Sequence, residues 1–111
     1  VVMPQSIFNP GDMCRCDTSV LVNGSEVYDN HRLVVMLDVF GAYYFAPSFS
    51  MEIDYYDNVW NPGTTDIVVI PPFIWPETGT SVRGVNWYGA ILTADMSQII
   101  SNLDILEFGW N

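Results

Sequence analysis

Cys14 and Cys16 stand two residues apart and are the chain's only cysteines. On an extended strand such a pair shares one face, with Cα atoms about 6.6 Å apart. That lies near the upper limit a disulfide spans, so a local Cys14–Cys16 bridge requires a bulge or a kink. Bonds to another chain and a pair of buried thiols are the other readings. Structural zinc is not expected, because such sites take four ligands and His31 is the sole histidine. The spacing is not that of a C-x-x-C redox pair either. A nucleophile would also lack its base, since His31 beside Arg32 reads as a solvated turn residue.

Carboxylates are plentiful. Asp38, Glu52, Asp54 and Glu107 are the residue types of a glycoside-cleaving pair, but they lie on separate segments and their spacing says nothing about proximity. Asp54, Asp57 and Asp66 are candidate calcium ligands crowding one loop. They offer hard oxygens without EF-hand spacing, and as solvated loop acids they need no ion. Asp29-Asn30 is a second, smaller cluster. Asn23-Gly24-Ser25 is an N-x-S sequon, which makes Asn23 a candidate glycosylation site. Trp60, beside Asn61 and Pro62, reads as a loop aromatic and a candidate sugar-stacking residue. No glycine-rich phosphate loop is present; Gly79, Gly84 and Gly89 read as turn and bulge positions.

Composition narrows the classes. Thirteen acids face three arginines (Arg15, Arg32 and Arg83) with no lysine, a formal net charge of −10. Such a chain repels phosphate backbones, so no nucleic-acid partner is expected. Half of the residues are hydrophobic and 14% are aromatic, which excludes disorder. The length of 111 residues fits one domain, 1–111. The apolar run Leu33–Leu37 falls far short of the roughly 18 residues of a membrane-spanning helix. A start at Val1 without a charged, apolar leader reads as a processed product or a piece of a longer one.

The elements that must carry these residues read as strands. Val2–Phe8 is edge-like, as Pro4 suggests, and residues 1–10 suit an edge strand or one donated to a neighbour. Asn9-Pro10-Gly11-Asp12 is a turn. Met13–Val22 alternates, with Cys14, Cys16, Thr18, Val20 and Val22 on one face. Arg32–Phe40 suits a central strand, bent at Gly41 and continued by Ala42–Ala46. Phe49–Tyr56 alternates again, and Thr64–Ile70 is a strand stopped by Pro71-Pro72. Val82–Thr93 and Asp104–Trp110 complete the set. Ala94–Ser101, with Asp95 as cap, is the one helical candidate. About seven strands at regular spacing predict an all-β chain folded as an antiparallel β-sandwich.

Several strands are apolar on both faces. Leu33, Val35, Leu37 and Val39 oppose Val34, Met36 and Phe40, which share their face with Asp38; Val85, Trp87 and Ile91 oppose Tyr88, Ala90 and Leu92; Ile67 and Val69 oppose Val68 and Ile70. Such strands want cover on both sides, more than one small interior provides. Edges usually guarded by lysine have none here. Together these features predict association with copies of the chain or with neighbouring domains.

A further pattern joins Leu37–Phe49, Asp54-Tyr55-Tyr56, Pro71-Pro72-Phe73-Ile74-Trp75-Pro76, Trp87-Tyr88-Gly89-Ala90 and Glu107-Phe108-Gly109-Trp110. With Asn9-Pro10-Gly11-Asp12 and C-x-C, it resembles immunoglobulin-like β-sandwich modules found near the C-termini of large secreted bacterial proteins. The resemblance runs from about Met3 to Trp110 and brings no catalytic residues. It implies export, an immunoglobulin-like sandwich and a surface or adhesive setting. The expectation is a non-enzymatic extracellular structural protein, a subunit of a bacterial surface filament or appendage, with no cofactor unless calcium. Its alternative is a carbohydrate-binding or adhesive module of a larger secreted protein.

Overall fold

The computed structural model describes residues 1–22, 31–57 and 60–111. Eight strands follow in order: β1 (Ile7–Phe8), β2 (Met13–Val22), β3 (Arg32–Val39), β4 (Ala42–Phe45), β5 (Tyr56–Asp57), β6 (Gly63–Ile74), β7 (Val82–Leu92) and β8 (Asp104–Trp110). The described residues contain no helix, hence none long and apolar enough to cross a membrane. The all-β expectation therefore holds, with eight strands in place of about seven.

Six strands form one sheet in the order β1-β8-β7-β3-β4, with β5 pairing the same strand β3 at its other end. β2 and β6 form a separate two-stranded ribbon. The pairs are antiparallel except β1 with β8, which is parallel, so the larger sheet is mixed. The sheets face each other in a sandwich-like arrangement whose shortest extent is 20 Å, as two layers about 10 Å apart with outward side chains require.

The core is the product of alternation. Cys14, Cys16, Thr18, Val20 and Val22 of β2 are all buried, the face the sequence assigns to them. They meet Leu33 and Val35 of β3, Val85, Trp87 and Ile91 of β7, and Phe108 of β8. Aromatic rings continue the contact: Trp87 stacks on Phe108 at 6.2 Å, Phe108 meets Phe8 edge-on at 6.4 Å, and Phe8 stacks on Trp75 at 5.4 Å. Offset and edge-to-face pairs of this kind stabilise beyond their buried area.

Five expectations change. First, Gly41 does not bend a continuing strand. Phe40 and Gly41 both take positive φ (52° and 88°) and Val39 pairs with Ala42, so the chain reverses in a two-residue hairpin. Second, β6 runs through Pro71-Pro72 to Ile74. Cys14 pairs with Phe73 and Cys16 with Ile70, so the prolines occupy a bulge on the ribbon, where lost donors cost little. Third, the bulged register turns Ile67, Val69 and Ile70 towards the core and leaves Val68 outside, which reduces the two-sided apolar excess there. Fourth, residues 49–55 form no strand beyond a single bridge from Phe45 to Ser50. Fifth, residues 94–101 make a turn: Asp95 Oδ1 accepts hydrogen bonds from the Thr93 hydroxyl and from the Ser97 amide and hydroxyl. Those bonds satisfy local donors without a helix.

The N-terminal segment crosses its own body. Val2 bridges Asp17 of the ribbon, and Ile7–Phe8 pairs with Gly109 and Trp110 of the larger sheet. Val1 packs its side chain where a Cβ on Gly89 would reach, 3.2 Å from Val1 Cγ2.

Candidate functional site

Register, rather than sequence distance, assembles the outward face of the larger sheet. Met36 of β3 lies between Phe45 of β4 and Tyr88 of β7, and Tyr88 pairs in turn with Ile105 of β8. One step along, Asp38 lies between Tyr43 and Asn86, and Asn86 pairs with Glu107. Residues paired across strands share a face, so an apolar row borders a polar one.

A shallow depression of about 360 Å³ opens on this face, lined by Met36, Gly41, Tyr43, Phe45, Met51 and Tyr88. Its rim rests on the hairpin, where Asp38 Oδ1 accepts the Gly41 amide at 2.9 Å. Phe40, beside Gly41, is 71% exposed and sits in a left-handed conformation that bulky residues rarely take. Met51 is 67% exposed. Neither Phe40 nor Met51 contributes to the core, so both are available to a partner.

The opposite flank exposes backbone. β6 pairs with β2 along one edge and has no partner along the other among the described residues. Asp66 and the two prolines are the only guards on this twelve-residue edge. Ribbon side chains are mixed. Arg15 and Asp17 form an ion pair at 2.6 Å, the Ser19 hydroxyl donates to Asp66 at 2.6 Å, and Met13, Leu21, Val68 and Ile74 are exposed between them.

The residues singled out from the sequence are dispersed. Cys14 and Cys16 are free thiols, both buried on the ribbon's inner face; burial raises them to about 11 and about 12. Thiols held protonated in this way are poor nucleophiles. Trp60 is corrected: it is fully buried and its indole N–H donates to the His31 carbonyl at 3.0 Å, so no sugar reaches its face. The polar neighbours that suggest a loop do not predict that hydrogen bond.

Asp54, Asp57 and Asp66 do not converge. Asp54 accepts the Ser48 and Tyr55 amides, and hydrogen bonding from Ser48 first and Tyr55 second holds it below the usual carboxylate range. Asp57 pairs with Arg32 in the larger sheet, whereas Asp66 bonds Ser19 in the ribbon. Among the described residues no three metal-ligating side chains gather. Asn23, Asp29 and Asn30 lie outside the described residues. Of the four carboxylates weighed for glycoside cleavage, Asp38 and Glu107 reach the same face, two strand spacings apart with Asn86 between them, about 10 Å. Glu52 is exposed in the loop after β4.

The depression itself is invisible to motif reading, because its residues span positions 36 to 88 and meet only through pairing. Its one legible signal is the apolar alternate face of β3 and β7. No family model, curated protein or solved structure matches this chain, so the resemblance to secreted sandwich modules rests only on the residues quoted for it.

Proposed function

We propose that this chain is a non-enzymatic, β-sandwich structural module of an extracellular bacterial surface assembly, joined to copies of itself or to neighbouring domains through the open edge of β6. An immunoglobulin-like lineage belongs to the same proposal, as does the extracellular setting; both draw on the quoted residue blocks. The carrying observation is that edge: twelve residues without a lysine, unpaired along one side among the described residues, with Val68 53% exposed and Phe73 and Ile74 exposed beside it. Unguarded edges pair laterally with other strands, and a two-stranded ribbon gains most from a third strand. The alternative of a carbohydrate-binding module loses the residue that carried it, because Trp60 is core.

Sedimentation velocity over a range of concentrations tests the proposal. The native chain sediments as a large, concentration-dependent species, and Val68→Lys, which places a charge beside the edge, shifts it towards monomer with the fold intact. A clean monomer at high protein concentration overturns it.

A further inference from the structure

The depression on the opposite flank has a chemistry of its own. Three aromatic residues, Tyr43, Phe45 and Tyr88, and two methionines, Met36 and Met51, line it. Phe45 and Tyr88 flank Met36 in one row, and Tyr43 stands in the next. Strand spacing sets Phe45 and Tyr88 about 10 Å apart at their Cβ atoms, with Tyr43 about 7 Å from Phe45. Three ring positions thus stand around Met36, and the exposed Met51 of the loop after β4 completes the lining. Asp38 stands opposite Tyr43 and bonds the Gly41 amide at the rim, which brings a carboxylate to the edge of the depression.

We propose that this depression binds a small quaternary ammonium compound, a soluble cation with a trimethylammonium head. Aromatic faces attract such cations, and methyl groups around the nitrogen match an apolar wall. The charge is complementary: Asp38 lies at the rim and the chain carries a net −10, which raises the local concentration of cations. The lining side chains offer few hydrogen-bonding groups, chiefly two phenols, which suits a weakly hydrated head better than a polyhydroxyl ligand. The chain does not supply the cation itself. It has no lysine, and each arginine is engaged: Arg15 by Asp17, Arg32 over the Tyr55 ring at 4.1 Å, and Arg83 by the Trp110 carbonyl and Asn111.

The site lies on the flank away from β6 and Val68 is not among its lining residues, so the test uses the full chain bearing Val68→Lys, which loosens assembly and leaves the depression untouched. Tetramethylammonium chloride and choline are titrated into the full chain at constant ionic strength, with sodium chloride as the balance. Proton–nitrogen NMR spectra report the site. Saturable shifts are expected around Met36, Tyr43, Phe45, Met51 and Tyr88. The neutral isostere 3,3-dimethylbutanol should bind at least about tenfold more weakly, and Tyr88→Ala should weaken the cation about three- to fivefold while Tyr88→Phe retains it.

Equal binding of the neutral isostere overturns the proposal, as does the absence of saturable shifts. So does a response to neutral oligosaccharides alone. Co-sedimentation with phosphatidylcholine vesicles without a response to free choline overturns it too.

Discussion

The two flanks of the molecule spend the same strand alternation differently. On the ribbon, outward side chains are broken up by polar pairs, Arg15 with Asp17 and Ser19 with Asp66, and what stands open among the described residues is the backbone edge of β6. On the larger sheet, the central strands β3 and β7 are paired on both sides, and what stands open is a continuous row of side chains, Phe45, Met36, Tyr88 and Ile105. An open edge recognises any strand through main-chain hydrogen bonds, whereas a side-chain face recognises a particular shape and charge. One flank is therefore suited to building and the other to selecting.

The largest effect separates the two sides of the larger sheet itself. Trp87 is fully buried and touches Phe108 and Phe49, whose ring lies 6.0 Å away. Tyr88, the next residue, faces outward into the depression. Trp87→Ala is expected to destabilise the chain by about 3–5 kcal/mol. Tyr88→Ala should cost about 1 kcal/mol or less. Urea midpoints of the two variants check this, and equal losses would mean that Tyr88 serves packing and not recognition.

The second effect reads the ribbon. Burial raises Cys14 to about 11 and Cys16 to about 12, against 9.0 for an ordinary thiol. Below pH 9 the thiols are protonated in both folded and unfolded chains, and their contribution is fully present. Between pH 9 and 12 the unfolded chain releases protons that the folded chain keeps, so stability falls as pH rises. Denaturant midpoints at pH 8 and pH 10.5 should differ in that direction. The double variant Cys14→Ala, Cys16→Ala should flatten the difference, leaving what the half-buried Tyr56, also raised by desolvation, contributes. An unchanged slope in the double variant would place the alkaline weakness outside the ribbon.

Much of this frame was legible in the residues. The alternation from Cys14 to Val22 assigned the ribbon's buried face residue by residue, because a half-buried strand has only two faces to offer. The long strands β7 and β8 were legible for the same reason. What escaped had local chemistry that tertiary pairing overrode. Pro71-Pro72 signals a stop, yet the ribbon absorbs both in a bulge. Trp60 has the neighbours of a loop residue, yet its indole N–H finds the His31 carbonyl and the ring is buried. The depression depends on β3 turning back into β4, and Phe40-Gly41 hides that turn, since the favoured first residue of such a hairpin is asparagine, aspartate or glycine.

That hidden turn is the place for the smallest and sharpest change. Phe40 holds a φ of 52° while 71% exposed, so it bears the left-handed cost without burial in return. Phe40→Asn supplies the residue that the two-residue hairpin prefers, ahead of Gly41, and is expected to stabilise the chain by up to about 1 kcal/mol. The measurement is again the urea midpoint, read beside the cation titration. If Phe40 is retained for the larger sheet's outward face, the variant gains stability and loses some affinity for tetramethylammonium. A gain in stability with affinity unchanged would place Phe40 outside the recognition surface and confine the depression to its lining residues. A loss of stability would show that the exposed ring contributes to packing after all, and the contrast between a flank that builds and a flank that selects would then end short of the hairpin tip.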